Sequence, residues 1–496
     1  MHYVITSTLP AQYGGRTKSL LDRTDKLVEK AGMDYTLVTT NYNPFYGEIY
    51  KQYYEQEKVP STVKFINLYD FISKRTYKGT KINHPVEESG LIAHEVKKNK
   101  VYRYFENGEY VLYKNFDTED GSLKIVDHID SYNRIRLCRK EYNALGQCHR
   151  KTNYKQGTTN KLEEIFYDEI GNAYMNKTYN GSKENKLIRL HIFTENGIIE
   201  FKTEKDFFRY ALELIIEDNS TIINDARLLD KPLIEMEGTN ITKISILHSS
   251  HLNSNDLLDV KSSYKYLIDH IADLDHLVTL THDQKKDLLQ FIPDEEKIKV
   301  IPHSIEASNL TKNVEKDNKF VYIGRLAESK QIDHLIEAYQ LRRSELASIN
   351  FEIYGEGPDR ERLQKMIEDN HLEEHISLKG LTNVPEKIFA GAKASFLPSQ
   401  FEGLPLSIME SLNNGCPVVA YDIRYGPNDL ITHGKNGLIV EKDNISALAT
   451  AMVKVLDIKP SSVYLDKEFR EDAFIKNWSK LLKVQGKSRF KIPFFQ

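Results

Sequence analysis

The chain has 496 residues, with 68 Lys and Arg against 72 Asp and Glu, giving a net charge of −4. That length holds two or three domains with sizeable cores, and the charge balance excludes a generally nucleic-acid-binding protein, because no basic excess exists to collect phosphates. Cys138, Cys148 and Cys416 form neither a disulfide framework nor a metal-ligand spacing, which points to the cytoplasm. No run approaches the ~20 apolar residues that span a bilayer. The strand-like start Met1-His-Tyr-Val-Ile-Thr-Ser lacks the basic region and apolar core of a signal peptide.

Residues 3–6 read as a strand and 18–30 as an amphipathic helix, with Tyr13-Gly-Gly-Arg-Thr17 between them. Strand, glycine turn and helix in that order open a doubly wound α/β domain. Residues 35–40 and 63–68 supply further strands. From about residue 80 the texture changes to short alternating runs rich in Tyr, Lys, Asn and Gly. Hairpins about Asn107-Gly108, Glu119-Asp-Gly121, Leu145-Gly146, Ile170-Gly171 and Asn196-Gly197 predict an antiparallel meander inserted into the α/β domain. Tyr102, Tyr104, Tyr110, Tyr113, Tyr132, Tyr142 and Tyr154 are expected on its exposed face among Lys and Arg. A lone meander must bury its apolar face on something, so oligomerisation or polymer binding is expected of it.

The α/β pattern resumes with a helix at 206–214 and a strand at 221–224. Residues 243–252 read as a strand ending in His248 and His251, and strand ends are where open α/β sheets hold ligands. A neutral histidine there can hydrogen-bond a sugar or acceptor hydroxyl, although a structural histidine is equally common. Strands at 277–281 and 297–303 follow, then a polar linker at 304–318. Strands at 320–323, 351–354, 376–378, 394–397, 418–421 and 437–440 alternate with helices and predict a second parallel sheet. Amphipathic helices are expected at 445–456 and 471–482, the latter holding the single tryptophan, Trp478. The basic, aromatic tail 487–496 suits anionic lipid or polymer, but a disordered or packed end is the simpler reading.

The most informative stretch is Ser399-Gln-Phe-Glu-Gly-Leu-Pro-Leu-Ser-Ile-Met-Glu410. Gly403 permits a sharp turn, Pro405 suits the first position of a helix running to about Asn413, and Gly415 ends it. Glu402 then lies in the turn and Glu410 one to two turns inside the helix, so both carboxylates face a ligand whose negative charge sits at the helix N-terminus. A nucleotide diphospho-sugar fits that arrangement. Glu410 would accept from a ribose diol, Glu402 from the transferred sugar, and backbone N–H groups after Gly403 would hold the diphosphate. On spacing alone, two acids near a helix start are more often surface charges that favour the dipole.

The same stretch resembles the E-x7-E motif of retaining glycosyltransferases with the GT-B fold, in which two Rossmann-like domains face a cleft. Residues 320–338 are similar to the strand, loop and helix that carry the family's phosphate-binding Arg and Lys, here Arg325 and Lys330. Phe351-Glu-Ile-Tyr-Gly-Glu-Gly-Pro358 resembles the next strand and its Gly-x-Gly-Pro turn. The resemblance implies a donor site of Gly14, Gly15, Gly324, Arg325, Lys330, Gly355, Glu402, Gly403, Leu404 and Glu410. It also implies catalytic roles for His248, Arg325, Lys330 and Glu402, with His251 orienting His248. No metal or other cofactor is expected. Arg325, Lys330 and a helix terminus already meet the diphosphate, and the formal metal motif Asp273-Leu-Asp275 stands before a buried strand.

The implied domains are 1–79 with 205–308 for the acceptor, the insertion 80–204, a nucleotide-sugar domain 309–470, and a segment 471–496 whose helix crosses back. The Tyr13-Gly-Gly-Arg-Thr-Lys-Ser19 opening, the long insertion and the strand-end His248 together resemble one branch, the poly(glycerol-phosphate) and poly(ribitol-phosphate) α-glycosyltransferases of wall teichoic acid. That branch implies a UDP-sugar donor carrying glucose or N-acetylglucosamine, retention of configuration, an anionic polyol-phosphate polymer as acceptor, and a homotrimer built through the insertion. The chain itself reads as cytoplasmic, and its basic tail leaves a peripheral contact with the inner membrane face open. A non-catalytic GT-B subunit is disfavoured by the complete donor set, whereas protein or lipid acceptors stay open. An epimerase would not need the insertion, and a pyridoxal-dependent phosphorylase would need a cofactor lysine that the sequence does not locate.

Overall fold

The computed structural model describes residues 1–96, 100–254, 256–308 and 315–483. The basic tail at 487–496 lies outside the described residues. The chain gathers into two compact units, residues 1–11 with 34–241, and residues 12–33 with 242–496. Among the described residues no helix is long and apolar enough to cross a membrane.

The first unit holds four parallel strands in the order Lys64–Asn67, Tyr35–Thr39, His2–Thr6 and Thr221–Asn224. In the last three of these the runs of Val, Ile, Leu and Thr are buried on both faces, as parallel strands require. Two helices that the sequence reading does not foresee, Tyr46–Glu55 and Leu68–Ser73, follow the second and third strands. The first is held by aromatic stacking, Tyr46 on Tyr50 and Tyr50 on Phe65 with ring centroids 4.9 and 4.3 Å apart. The second starts where the Asn67 side chain accepts the N–H groups of Tyr69 and Asp70.

The insertion is an antiparallel meander. Among the described residues it has ten strands, from Ile92–Glu95 to Gly197–Phe201, each paired with its neighbours in sequence. One face does not wait for a partner protein: Phe166, Tyr174, Met175, Leu190 and Ile192 share a core with Tyr3, Ile5, Leu68 and Tyr69. Phe207, Phe208, Ala211 and Leu212 of the helix Glu204–Ile215 complete that core. Of the tyrosines expected on the outer face, Tyr104 is instead fully buried among Leu112, Phe116, Leu123 and Val126. It fills the meander's own smaller core. Much of the meander's charge is paired within the sheet, Arg139 and Arg136 with Asp127, and Arg150 with Glu141.

The second unit contains six parallel strands in the order Ile376–Gly380, Asn350–Tyr354, Lys319–Ile323, Ala394–Leu397, Val418–Asp422 and Gly437–Glu441. Numbered along the chain, that is 3-2-1-4-5-6, the doubly wound order whose reversal between the first and fourth strands opens a crevice at their carboxyl ends. Three more parallel strands, Thr242–Ile246, His276–Thr279 and Ile298–Val300, belong to the same unit. Asp275 accepts the Lys243 N–H at 2.8 Å, so one half of Asp273-Leu-Asp275 has a backbone partner. The helix Gly15–Glu29 packs on the terminal helix Glu471–Lys483, with the Arg23 guanidinium 5.2 Å from the Trp478 ring centre.

Truncating Phe166, buried in the shared core and edge-on to Tyr42 at 4.8 Å, should therefore destabilise the whole first unit rather than the insertion alone. For Phe166→Ala a loss of about 3–5 kcal/mol is expected in urea unfolding. A loss under about 1 kcal/mol would show that the meander folds apart from the strands beneath it.

Candidate donor site at the strand reversal of the second unit

Two loops meet where the strand order reverses. Residues 324–331 leave the strand Lys319–Ile323, and residues 398–405 leave the strand Ala394–Leu397. They are tied together by the Gln400 N–H on the Ser329 carbonyl at 2.9 Å. Across that tie the Lys330 Nζ donates to Glu402 Oε1 at 2.6 Å, both side chains mostly withdrawn from solvent. Arg325 is exposed on the first loop, its carbonyl accepting the Tyr322 hydroxyl at 3.3 Å. Burial and the nearby Glu402 carboxylate push the Tyr322 phenol well above its usual range, so it stays neutral and serves as a donor.

Glycines let these loops close on one another. A Cβ on Gly355, whose φ is +142°, would collide with the Gly324 carbonyl, and one on Gly357 with the Leu326 carbonyl. The two segments exchange bonds here, Leu326 N–H to Glu356 at 3.0 Å and Asp359 N–H to Leu326 at 3.1 Å. Gly355 is thus a packing residue that sets the Arg325 loop. A Cβ on Gly403 would stand 2.5 Å from the His248 carbonyl oxygen, and the Ser250 N–H donates to the Glu402 carbonyl at 3.1 Å. These contacts hold the His248 segment against the turn that carries Glu402.

The motif helix is Leu406–Asn413, with Pro405 at the N-cap rather than at the first helical position. Its ψ of 113° is extended, so the helical turn begins one residue later than its ring would allow. Leu404 is buried against Ile408 and Met409, which leaves only its backbone for a ligand. Glu410 lies on the fifth residue of the helix and pairs with Lys18 of the helix Gly15–Glu29. Gly14 caps that second helix, and a Cβ on Gly15 would stand 3.5 Å from the Leu406 side chain. Between them is a cavity of about 450 Å³, lined by Lys18, Asp22, His303, Pro385, Leu406 and Glu410 among others. Its size suits a nucleoside.

His248 follows its strand by two residues, and its ring stacks on His303 with centroids 5.8 Å apart and planes 12° from parallel. The orienting role expected of His251 is not found. His251 is fully buried, stacks on Tyr425, and its ring nitrogens have no hydrogen-bond partner among the described residues. Burial lowers its pKa to about 4, so it is neutral. Lys18 and His303 were not singled out from the sequence. Lys18 sits in the glycine motif and His303 at the end of an expected strand, but nothing local signals that Lys18 meets Glu410, 392 residues away, or that His303 meets His248 from another strand end. Among the described residues no cluster of three or more His, Cys, Asp or Glu is arranged to hold a metal.

Residues 305–472 match the family described as glycosyl transferases group 1, and the doubly wound sheet with this site at its reversal defines a glycosyltransferase of the GT-B class. The chain is 30% identical over 493 residues to the poly(glycerol-phosphate) alpha-glucosyltransferase of Bacillus subtilis, covering 95% of this chain and 72% of that one. It is 29% identical over 468 residues to the poly(ribitol-phosphate) alpha-N-acetylglucosaminyltransferase of Staphylococcus aureus, covering 92% of each. A crystal structure of a Staphylococcus aureus TarM mutant in complex with Fondaparinux, alpha-GlcNAc-glycerol and UDP superposes with a TM-score of 0.85 at 26% identity, over 98% of this chain and 99% of that one. The pneumococcal O-GlcNAc transferase GtfA shares the fold, with a TM-score of 0.81 at 18% identity over 98% of this chain and 99% of that one. The chain belongs to the glycosyltransferase family that includes the Bacillus and Staphylococcus α-glycosyltransferases.

Gly403→Ala should separate the Glu402 turn from the His248 segment while leaving the six-stranded sheet intact. A loss of turnover on the order of 10²-fold is expected with circular dichroism unchanged, because a small misplacement of positioned groups is enough. Wild-type turnover in this variant would mean that the close approach does not matter for catalysis.

Proposed function

We propose that this protein transfers glucose or N-acetylglucosamine from a UDP-sugar to hydroxyls of a polyol-phosphate polymer, with retention of the α configuration. The observation that carries the reading is the division between the two motif carboxylates. Glu402 lies with Lys330 at the strand reversal, and Glu410 lies on the wall of the nucleoside-sized cavity with Lys18. One end suits a sugar and a diphosphate, the other a ribose.

In this reading the bond between the anomeric carbon and the UDP oxygen breaks while the acceptor oxygen bonds to the same face. The hydroxyl proton passes to the departing phosphate. Arg325 and Lys330 meet the charge that develops on UDP, Glu402 and His248 hold the sugar, and Glu410 holds the ribose. Charge stabilisation by preorganised groups of this kind is usually the largest catalytic contribution. The polymer acceptor is favoured by the relatives named for poly(glycerol-phosphate) and poly(ribitol-phosphate). The enzyme works in the cytoplasm, where nucleotide sugars are made, as a homotrimer assembled through the insertion. A peripheral contact with the inner membrane face belongs to the same reading, through the basic tail at 487–496 that lies outside the described residues. Support for assembly comes from the outermost strand Ile92–Glu95, exposed along its whole length, and from Ile198 on the opposite edge.

Arg325→Ala and Lys330→Ala should each lower transfer by about 10²–10³-fold in a UDP-release assay with purified teichoic acid. Glu410→Ala should weaken calorimetric UDP binding, whereas Glu402→Ala should spare UDP affinity and lose transfer. Equal effects on UDP binding would reject that division. Transfer to protein or lipid but not to polymer would redirect the acceptor assignment.

The catalytic charge is supplied by side chains, so activity should survive an excess of EDTA. Loss of transfer in chelator, restored by Mg²⁺ or Mn²⁺, would show that Arg325 and Lys330 do not suffice for the diphosphate.

A further inference from the structure

The donor roles leave unused a cationic feature one residue from Glu402. Phe401 carries two ammonium groups brought from separate segments, the Lys261 Nζ 4.5 Å and the Lys442 Nζ 5.0 Å from its ring centre. Lys261 precedes the helix Ser262–Asp269, and Lys442 follows the strand Gly437–Glu441. Lys261 donates to the Ser250 carbonyl at 2.9 Å, and neither lysine is ion-paired with a carboxylate among the described residues. A shallow recess beside the ring is lined by Ser250, Ser254, Gln400, Glu402, Arg424 and Lys442. Its two other charges are already answered. Glu402 is held by Lys330, and Arg424 makes a two-point pair with Asp287 at 2.6 and 2.8 Å. The surplus charge is therefore positive.

Two ammonium groups on one apolar ring repel each other and give up hydration, and burial lowers the Lys261 pKa. Such an arrangement becomes favourable when an anion meets the cations. The donor's phosphates have their own cations, since Phe401 and Glu402 gather different lysines. The remaining anion in the reaction is on the acceptor. A polyol-phosphate chain carries a phosphodiester within one repeat of every hydroxyl it offers.

We propose that Lys261 and Lys442, mounted on Phe401, form a subsite for the acceptor phosphodiester adjoining the hydroxyl that is glycosylated. The inference rests on the polyol-phosphate reading of the acceptor. It adds that the enzyme recognises the charge of one repeat beside Glu402, which places a hydroxyl at the sugar and discriminates against uncharged alcohols.

The test uses Lys261→Met, Lys442→Met, the double variant and Lys261→Arg in the full chain. Two readouts are taken: kcat/KM with poly(glycerol-phosphate) and with free glycerol, and calorimetric binding of inorganic phosphate to the UDP-saturated protein. Each single Met variant should lower the polymer-to-glycerol ratio of kcat/KM by about tenfold, chiefly through KM, and Lys261→Arg should restore it. The double variant should lose phosphate binding. The subsite is overturned if the ratio stays at the wild-type value, or if the double variant binds phosphate as the wild type does. If wild-type protein transfers to neither acceptor yet phosphate binding still depends on both lysines, the polymer reading falls and the anion subsite stands.

Discussion

The ion pair between Lys330 and Glu402 joins two loops that the strand order makes neighbours, and the rest of the site is arranged about it. In a 3-2-1-4-5-6 sheet the first and fourth strands lie side by side but send their helices to opposite faces. Their loops diverge and leave a crevice. A cation from one loop and an anion from the other meet there, with the Gln400 to Ser329 backbone bond beside them. A partly buried pair of this kind adds little to stability, because desolvation offsets most of the attraction. Its use is positional. It fixes a carboxylate and an ammonium side by side at the reversal, the two groups that the proposed reaction assigns to a sugar and its phosphate.

Around that pair, position is set by backbone rather than by side chains. Gly355 and Gly357 lie against Gly324 and Leu326, Gly403 lies against His248, and Gly426, with φ +97°, lies against both Pro405 and the Gly403 carbonyl. At each point a single methyl group would intrude on a carbonyl or a ring. Segments from opposite ends of the unit therefore meet at main-chain distance, which no flexible side chain could enforce as tightly. Preorganisation of this sort lets charged groups act without rearrangement at the moment of reaction.

The meander follows a different logic. Alternating residues put Phe166, Tyr174, Met175, Leu190 and Ile192 on one face, and that face joins the core of the first unit instead of forming an independent module. Its outer surface is less basic than composition suggests, because Arg136, Arg139 and Arg150 are paired with acids on neighbouring strands. Whatever the outer face binds meets a mosaic of tyrosines and ion pairs. Cross-strand pairing of this kind stabilises a sheet as it neutralises it.

Local signals in the sequence determined most of the parallel strands, the hairpin turns, and the Pro405 to Gly415 helix to within a residue or two, because periodicity and turn chemistry act over a few neighbours, but the strand expected over 243–252 ends at Ile246, before either histidine, and the one expected over 297–303 ends at Val300. The helices Tyr46–Glu55 and Leu68–Ser73 escaped notice, since aromatic stacking on Phe65 and a side-chain cap outweighed weak propensity. Glu402, Glu410, Arg325 and Lys330 were legible as motif residues in loops and helix starts. Only the tertiary structure decided their company. Lys18 reaches Glu410 across 392 residues, His303 rather than His251 stacks on His248, and Lys261 and Lys442 converge on Phe401. The physical reason is separation in sequence: residue type and spacing encode the bonds made within a turn, whereas contacts between distant loops follow from strand order and from where glycine lets two backbones touch.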